Sequence, residues 1–222
     1  MKQLLCIFFL FPLFNFAQYE EYDWEQRDEW MPVDAIFEAI DLKEGMKVAD
    51  IGCHEGYMSI KLAEFVGEKG QVFAVDIRAD RLDLLRSHLQ DRKIQNVEVV
   101  LGDYDDPKLP KEHLDAVIII DTYHEMTEYE RILKKVMKSL KPGGKLLIFE
   151  KLKNRVKDGT RDEQTDSHTL SSKFVIDELK EARFTVTKQK YDLGYWEEDN
   201  SKPMWFVVAE KPDDSKFRVR KL

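Results

Sequence analysis

The 222 residues suffice for one well-buried domain and are too few for two ordinary domains with a linker. A composition of 43% hydrophobic and 35% charged residues belongs to a globular chain and excludes both a disordered one and a membrane-embedded one. The net charge of −8 excludes a protein that grips nucleic acid through its phosphates.

The chain opens with Lys2 and an apolar run from Leu4 to Phe16, broken by Pro12 and closed by Ala17-Gln18. A lone positive charge, a short apolar core and a small final residue form the pattern of a secretory signal peptide, expected over residues 1–17. The run is shorter than the roughly 20 residues a spanning helix needs. Acidic residues follow it (Glu20, Glu21, Asp23) while the positive charge precedes it, so the body of the chain is expected to be exported, to a periplasmic location in bacteria. An uncleaved anchor is the alternative. No stable membrane span is expected once the signal is removed. Cys6 falls in that segment, and the remaining Cys53 has no partner for an internal disulfide. Residues 18–46 read as an N-terminal segment with a helix, 47–211 as the main domain and 212–222 as a tail. The basic Lys216–Lys221 stretch of that tail reads as a solvated end.

Within the main domain, apolar runs occur at Val48–Ile51, Val72–Asp76, Val97–Leu101, Ala116–Ile120 and Lys145–Phe149. Amphipathic stretches separate them at Tyr57–Val66, Arg81–Gln90 and Glu128–Leu140, the last with Ile132, Leu133, Val136 and Leu140 on one helical face. Strands alternating with helices of this length predict βαβ units, a mostly parallel sheet and helices on both faces, a doubly wound α/β fold. Ala116–Ile120 lacks any polar alternation and is expected as a central strand. Pro142-Gly143-Gly144 is expected to stop the preceding helix and turn the chain into the next strand. Lys151–His168 reads as a long surface loop and Phe174–Ala182 as a helix. Phe184–Tyr191 and Met204–Ala209 read as two antiparallel strands.

In an open α/β sheet, ligands bind beyond the C-terminal ends of the strands. The first strand enters Gly52-Cys53-His54-Glu55-Gly56 and then a helix; glycines allow a sharp turn and close approach, and a helix N-terminus offers N–H groups to an anion. Later strands end at Asp76, at Leu101-Gly102-Asp103 and at Asp121-Thr122-Tyr123-His124-Glu125. One acidic strand end is commonly a solvated turn. Several at successive strand ends point to a site.

Val48–Gly56, Val72–Arg78, Val97–Asp106, Leu114–Glu125 and Leu140–Glu150 together resemble the motifs of class I S-adenosylmethionine-dependent methyltransferases. Arg27-Asp28-Glu29-Trp30, Asp121–His124 and His168-Thr169-Leu170-Ser171 further resemble exported methyltransferases of bacteria. The resemblance covers Arg27 to Ala209. It implies a Rossmann-like, seven-stranded sheet in the order 3-2-1-4-5-7-6 with the last strand antiparallel, over a methyltransferase domain at 47–211. It implies S-adenosylmethionine as cofactor and S-adenosylhomocysteine as product, held by Asp50, Gly52, Cys53, His54, Gly56, Asp76, Ile77, Asp103 and Asp121. In that scheme Asp50 faces the ammonium, Asp76 the ribose hydroxyls, Asp103 the adenine amino group and Asp121 the methyl group. One position departs from the pattern: His54 stands where the family often has glycine, either crowding the cofactor or donating to its carboxylate.

Methyl transfer is an in-line displacement in which alignment is the main task, and a base is needed only where the acceptor loses a proton. His124, Tyr123 and His168 are the candidate catalytic residues. For His124 the alternative is a supporting role, satisfied by Glu125, and Glu150 reads as structural. His54, Glu55, His124, Glu125 and His168 show no diagnostic metal spacing, so no metal is expected. The four tryptophans read as packing residues, with the front segment of Trp24 and Trp30 placed to cover the site. The expected partner is a small-molecule methyl acceptor. Two other functions stay open: a binding module on the same fold, and a nicotinamide-dependent oxidoreductase, whose G-x-G-x-x-G spacing Gly52 and Gly56 do not provide.

Overall fold

Strands buried on both faces need a helix over each face, and the alternation of apolar runs with amphipathic stretches supplies them. The computed structural model describes residues 23–213, so the expectations attached to the N-terminal apolar run and to Lys216–Lys221 lie outside the described residues. Two short helices, α1 (Trp24–Trp30) and α2 (Val33–Ala39), come first. Then follow β1 (Lys47–Ile51), α3 (Tyr57–Val66), β2 (Gln71–Asp76), α4 (Ala79–Asp91), β3 (Val97–Leu101), β4 (Leu114–Ile120), α5 (Tyr129–Ser139), β5 (Leu140–Lys151), α6 (Arg161–Thr165), α7 (Ser172–Glu181), β6 (Thr185–Lys190) and β7 (Met204–Glu210). Among the described residues no helix is long and apolar enough to cross a membrane.

The seven strands form one sheet in the order β3-β2-β1-β4-β5-β7-β6, as the family resemblance implies. Pairing is parallel from β3 to β5, and β7 runs antiparallel to both of its neighbours. The twofold period of β4 divides its apolar run between the faces. Ala116, Ile118 and Ile120 pack with Val48, Val72 and Phe149 beneath Ile36 of α2 and Leu62 of α3. Val117 and Ile119 pack with Ile51 and Val75 beneath Leu133 and Val136 of α5 and Leu179 of α7. Each of these buried Val, Leu, Ile and Phe side chains contributes roughly 1.5–3 kcal/mol. The edge strand β6 is largely exposed and carries Lys188 and Lys190, which discourages pairing with another sheet.

Two expectations need correction. The helix before Pro142 already ends at Ser139; Leu140 is extended and pairs with Leu114, so its buried side chain belongs to β5 and not to the helical face. Pro142-Gly143-Gly144 therefore lies inside an irregular strand start, where Gly143 takes φ +76 and its N–H donates to the Lys211 carbonyl. Lys151–His168 is likewise more ordered than a loop. Thr160 and Glu163 form a capping box that starts α6, and the buried Gln164 amide donates to the Val156 and Lys157 carbonyls while its oxygen accepts from the Ser171 N–H.

Candidate active site

Hydrogen bonds carry the parallel ladder one residue past the strand ends. The N–H of Gly52 donates to the Val75 carbonyl (2.8 Å), that of Gly102 to Asp76 (2.9 Å) and that of Asp121 to Phe149 (2.8 Å). This alignment brings Asp50, Asp76, Asp103 and Asp121 to the wall of one cavity of about 500 Å3. The cavity lies where the strand order reverses between β1 and β4, the switch point at which open α/β sheets bind ligands. Gly52, Cys53, His54 and Ile77 share its wall, as do His124 and His168.

The loop between β1 and α3 owes its two glycines to the protein's own packing. Gly52 has φ +82, and a Cβ there would stand 2.4 Å from Thr122 Cγ2; Gly56 has φ +97, and its Cβ would stand 2.2 Å from Leu85 Cδ1. Gly56 is not on the cavity wall: it lets α3 meet α4, instead of admitting a ligand. Between them His54 takes a left-handed φ of +51, which glycine adopts more easily.

Asp76 is oriented by two backbone donors, the His54 N–H on Oδ2 and the Arg78 N–H on Oδ1, both at 2.9 Å. Asp50 is buried and accepts from Ser59 Oγ at 2.6 Å. Burial pushes its carboxyl up to about 6, against the hydrogen bond from Ser59 and the charge of Arg27. Burial, with Arg81 and Arg78 nearby, pulls the His54 imidazole down to about 4, and its Nε2 is buried without a hydrogen-bond partner among the described residues. Ile77 presents an exposed apolar side chain at the rim. The loop of Asp103 is closed by its N–H to the Asp106 carbonyl, and its carboxylate lies 3.1 Å from Lys108 Nζ.

At the other end of the cavity, Asp121 contacts the Lys151 ammonium. His124 is buried, and its partner is Glu150, not Glu125: Nδ1 lies 2.9 Å from Oε2, and the His124 backbone N–H donates to Oε1. Burial pushes the fully buried Glu150 up; on His124 burial acts downward, but the Glu150 carboxylate outweighs it and the imidazole is raised. His124 Nε2 faces Glu125 at 3.8 Å, and His168 Nδ1 approaches the same carboxylate at 3.6 Å. Tyr123 does not join them. Its hydroxyl donates to Glu178 at 2.8 Å inside the layer under α7, away from the cavity, so it is a packing residue and not a candidate for catalysis.

Several residues on the cavity wall had not been expected there. The Arg27 guanidinium lies 4.3 Å from the Tyr57 ring centre and 5.7 Å from that of Trp196, which brings α1 over the site. Trp30 meets Trp196 at 4.7 Å between ring centres and Trp24 packs on Tyr57 and His88, so the two tryptophans of the front segment pack beside the cavity, and Arg27 between them reaches its wall. Lys151 and Trp196 also line the wall, and Glu150 acts from behind it. The motif Arg27–Trp30 was visible in the sequence. Trp196, on the connection between β6 and β7, reads from the sequence as a packing residue only, and Glu150, read as structural, supports the site from the end of β5.

The model of the family described as methyltransferase domain matches residues 42–200. The chain belongs to this family. A ubiquinone/menaquinone biosynthesis C-methyltransferase from Shewanella sp. (strain ANA-3) is 36% identical over 109 residues, which cover 49% of this chain and 43% of that protein. The matched stretch thus spans less than half the length of the curated relative. A SAM-dependent methyltransferase from Aquifex aeolicus shares the fold with a TM-score of 0.70 at 23% identity, over 87% of this chain and 99% of that one. Phosphoethanolamine N-methyltransferase 2 from Haemonchus contortus, in complex with phosphomonomethylethanolamine and S-adenosylhomocysteine, has a TM-score of 0.66 at 18% identity, over 82% of this chain and 53% of that one. The family matched is one of methyltransferases and not of nicotinamide-dependent oxidoreductases, and the fold is the one seen in the SAM-dependent methyltransferase from Aquifex aeolicus.

Proposed function

We propose that this methyltransferase moves a methyl group from S-adenosylmethionine to a small-molecule acceptor and releases S-adenosylhomocysteine. The observation that carries this is the placing of Asp50, Asp76, Asp103 and Asp121, from four successive strand ends, around one cavity. Carboxylates suit a ligand that carries an ammonium, a sulfonium and ribose hydroxyls, and they repel a pyrophosphate. The volume of about 500 Å3 is within the range of small-molecule sites. The unpartnered Nε2 of His54 supplies a further polar contact.

When bound, the donor supplies an electrophilic methyl group on a positively charged sulfur. The protein's part is to hold and align. Asp76 has one backbone N–H on each oxygen, which fixes its plane and leaves lone pairs for both ribose hydroxyls. Asp50 faces the ammonium, Ile77 the adenine ring and Asp103 its amino group. Arg27, stacked by Tyr57 and Trp196, closes the side wall and excludes water. The acceptor comes in beside Asp121, His124 and His168. Alignment of two reactants of this kind is worth up to ~7–11 kcal/mol of the barrier. The relative's C-methylation in ubiquinone/menaquinone biosynthesis gives a first direction for an acceptor screen.

Calorimetric titration of the full chain with S-adenosylmethionine and S-adenosylhomocysteine tests the donor site. Both are expected to bind, and Asp76→Ala to weaken binding by about a hundredfold, from two charge-assisted hydrogen bonds of ~1.5 kcal/mol or more each. No binding by a folded chain, or equal binding by the variant, overturns the assignment. The same reading includes export, supported by the pattern of residues 1–17. A shortened chain outside the cytoplasm of the native host is the expected result, and a full-length cytoplasmic product the contrary one.

A further inference from the structure

His124, Glu125 and His168 converge at the mouth of the cavity, with one ligating atom from each within 4.8 Å of the other two. His124 Nε2 lies 3.8 Å and His168 Nδ1 3.6 Å from Glu125 Oε1. Around a four-coordinate ion with bonds of about 2.0–2.2 Å, neighbouring ligand atoms stand roughly 3.3–3.6 Å apart. The three groups are thus close to a ligand set before any ion arrives, and the two exposed ones, Glu125 and His168, have the freedom to close the remainder.

The buried member is already oriented. Glu150 takes Nδ1 of His124, which leaves Nε2 as the nitrogen directed at Glu125. A carboxylate on the far nitrogen is what metal-bound histidines commonly have, since it fixes the ring and raises its basicity. The other grouping of ligand-type side chains, Asp121, His124 and Glu150, does not offer the same. It would use the nitrogen that Glu150 occupies, and Lys151 already engages the Asp121 carboxylate. His168 is exposed and yet holds a left-handed φ of +52. It is kept over His124, at 6.0 Å between ring centres, because Thr169 Oγ1 and the Leu170 N–H both donate to the Lys151 carbonyl.

We propose that His124, Glu125 and His168 bind a divalent transition-metal ion of the zinc type. Two imidazoles and one carboxylate suit such an ion better than magnesium or calcium, which prefer all-oxygen sites. Three protein ligands would leave at least one position open, and His124, Glu125 and His168 all line the cavity wall. The site stands on its own residues and does not rest on the methyl-transfer assignment.

The test uses the full chain, made without a histidine tag, stripped with a chelator and titrated with Zn2+ by calorimetry and with Co2+ by visible absorption. One equivalent is expected, with absorption bands of low-symmetry, nitrogen-bound cobalt. His168→Ala and Glu125→Gln, both at exposed positions, are each expected to weaken binding at least tenfold, and Glu150→Gln by about 10–100-fold. His113→Ala, whose ring sits against Lys47 and Phe73 instead, is expected to bind as the parent does. Absence of Zn2+ binding, or binding undiminished in His168→Ala, overturns the proposal. Titration of the same samples with S-adenosylhomocysteine separates the two assignments: donor binding without metal binding defeats the metal site alone.

Discussion

Nδ1 of His124 stands 2.9 Å from Oε2 of Glu150, with the two side chains 2% and 0% exposed. The pair ties the turn after β4 to the end of β5, and Glu150 holds the His124 backbone N–H as well. Glu150→Ala leaves an imidazole and an N–H unpaired in the interior, with an expected loss of ~3–5 kcal/mol of stability. For a domain of this size that is a fall in Tm of roughly 6–20 °C. Glu150→Gln keeps the volume and one acceptor oxygen and is expected to lose less than half as much. Urea denaturation of both variants checks this; an unchanged midpoint for Glu150→Ala would show that the pair does not hold the two elements together.

Asp50 makes donor binding depend on pH. Its folded value of about 6 lies above the ordinary ~3.9, so the folded protein binds the proton more tightly than the unfolded chain. This group's contribution to the stability of the free protein therefore falls as pH rises from about 4 to about 6 and is constant above. A donor ammonium beside Asp50 favours the ionised form, so affinity for S-adenosylmethionine is expected to decline as pH drops below about 6. Asp50→Asn is expected to bind more weakly at pH 7 and to lose this decline. Calorimetry at pH 6 in buffers of different ionisation enthalpy should register a proton released on binding; none released would take the ammonium away from Asp50.

His54 acts in the opposite direction. Burial holds its imidazole at about 4, below the ordinary ~6.5, so its stabilising contribution is complete above pH 6.5 and is lost as pH falls from there towards 4. In His54→Gly that loss disappears, while the left-handed backbone at φ +51 is relieved of about 1–2 kcal/mol of strain. The lost packing of the ring offsets that relief, so the two proteins are expected to differ little at pH 7. At pH 5 the glycine variant should melt higher than the parent. Asp50 is common to both proteins, so the comparison isolates His54; parallel pH profiles would show that the ring is not held neutral.

The residues that could be placed from the sequence are those that follow their strand directly. Asp76 and Asp121 lie at or one residue past the end of an apolar run, so the parallel ladder carries them to the rim. Tyr123 and His124 are equally close to β4 but share a 3₁₀ turn, where successive side chains point about 120° apart. One therefore faces the cavity and the other the layer under α7, and adjacency in sequence cannot tell which. The sequence points to Glu125 as the partner of His124 because the two are neighbours in the chain, whereas Glu150 is its neighbour through the β4-β5 register. Arg27 and Trp196 lie far apart in the sequence, on α1 and on the connection between β6 and β7, and only tertiary packing brings them together. The convergence of His168 on His124 is of the same kind, which is why no spacing rule shows it.

The glycines of the β1-α3 loop can be tested apart from any ligand, because two different effects forbid a side chain there. Gly67, at the end of α3, has φ +66 with ψ −173, a conformation essentially confined to glycine, and open space around it, so Gly67→Ala measures backbone strain alone, of order 1–3 kcal/mol. Gly56→Ala adds to a left-handed backbone strain of about 1–2 kcal/mol a Cβ placed 2.2 Å from Leu85 Cδ1, in a core where Leu85 is fully buried. Overpacking of that kind costs a further ~1–3 kcal/mol, so Gly56→Ala is expected to lose about 2–5 kcal/mol. Leu85→Ala alone opens a cavity and is expected to cost ~2–5 kcal/mol. In the double variant the clash is gone, so the total loss should fall short of the sum by about 1–3 kcal/mol while the backbone strain stays. Denaturation of all four variants closes the cycle. Strict additivity would mean that Gly56 is required for its backbone conformation alone and that the contact between α3 and α4 tolerates a methyl group.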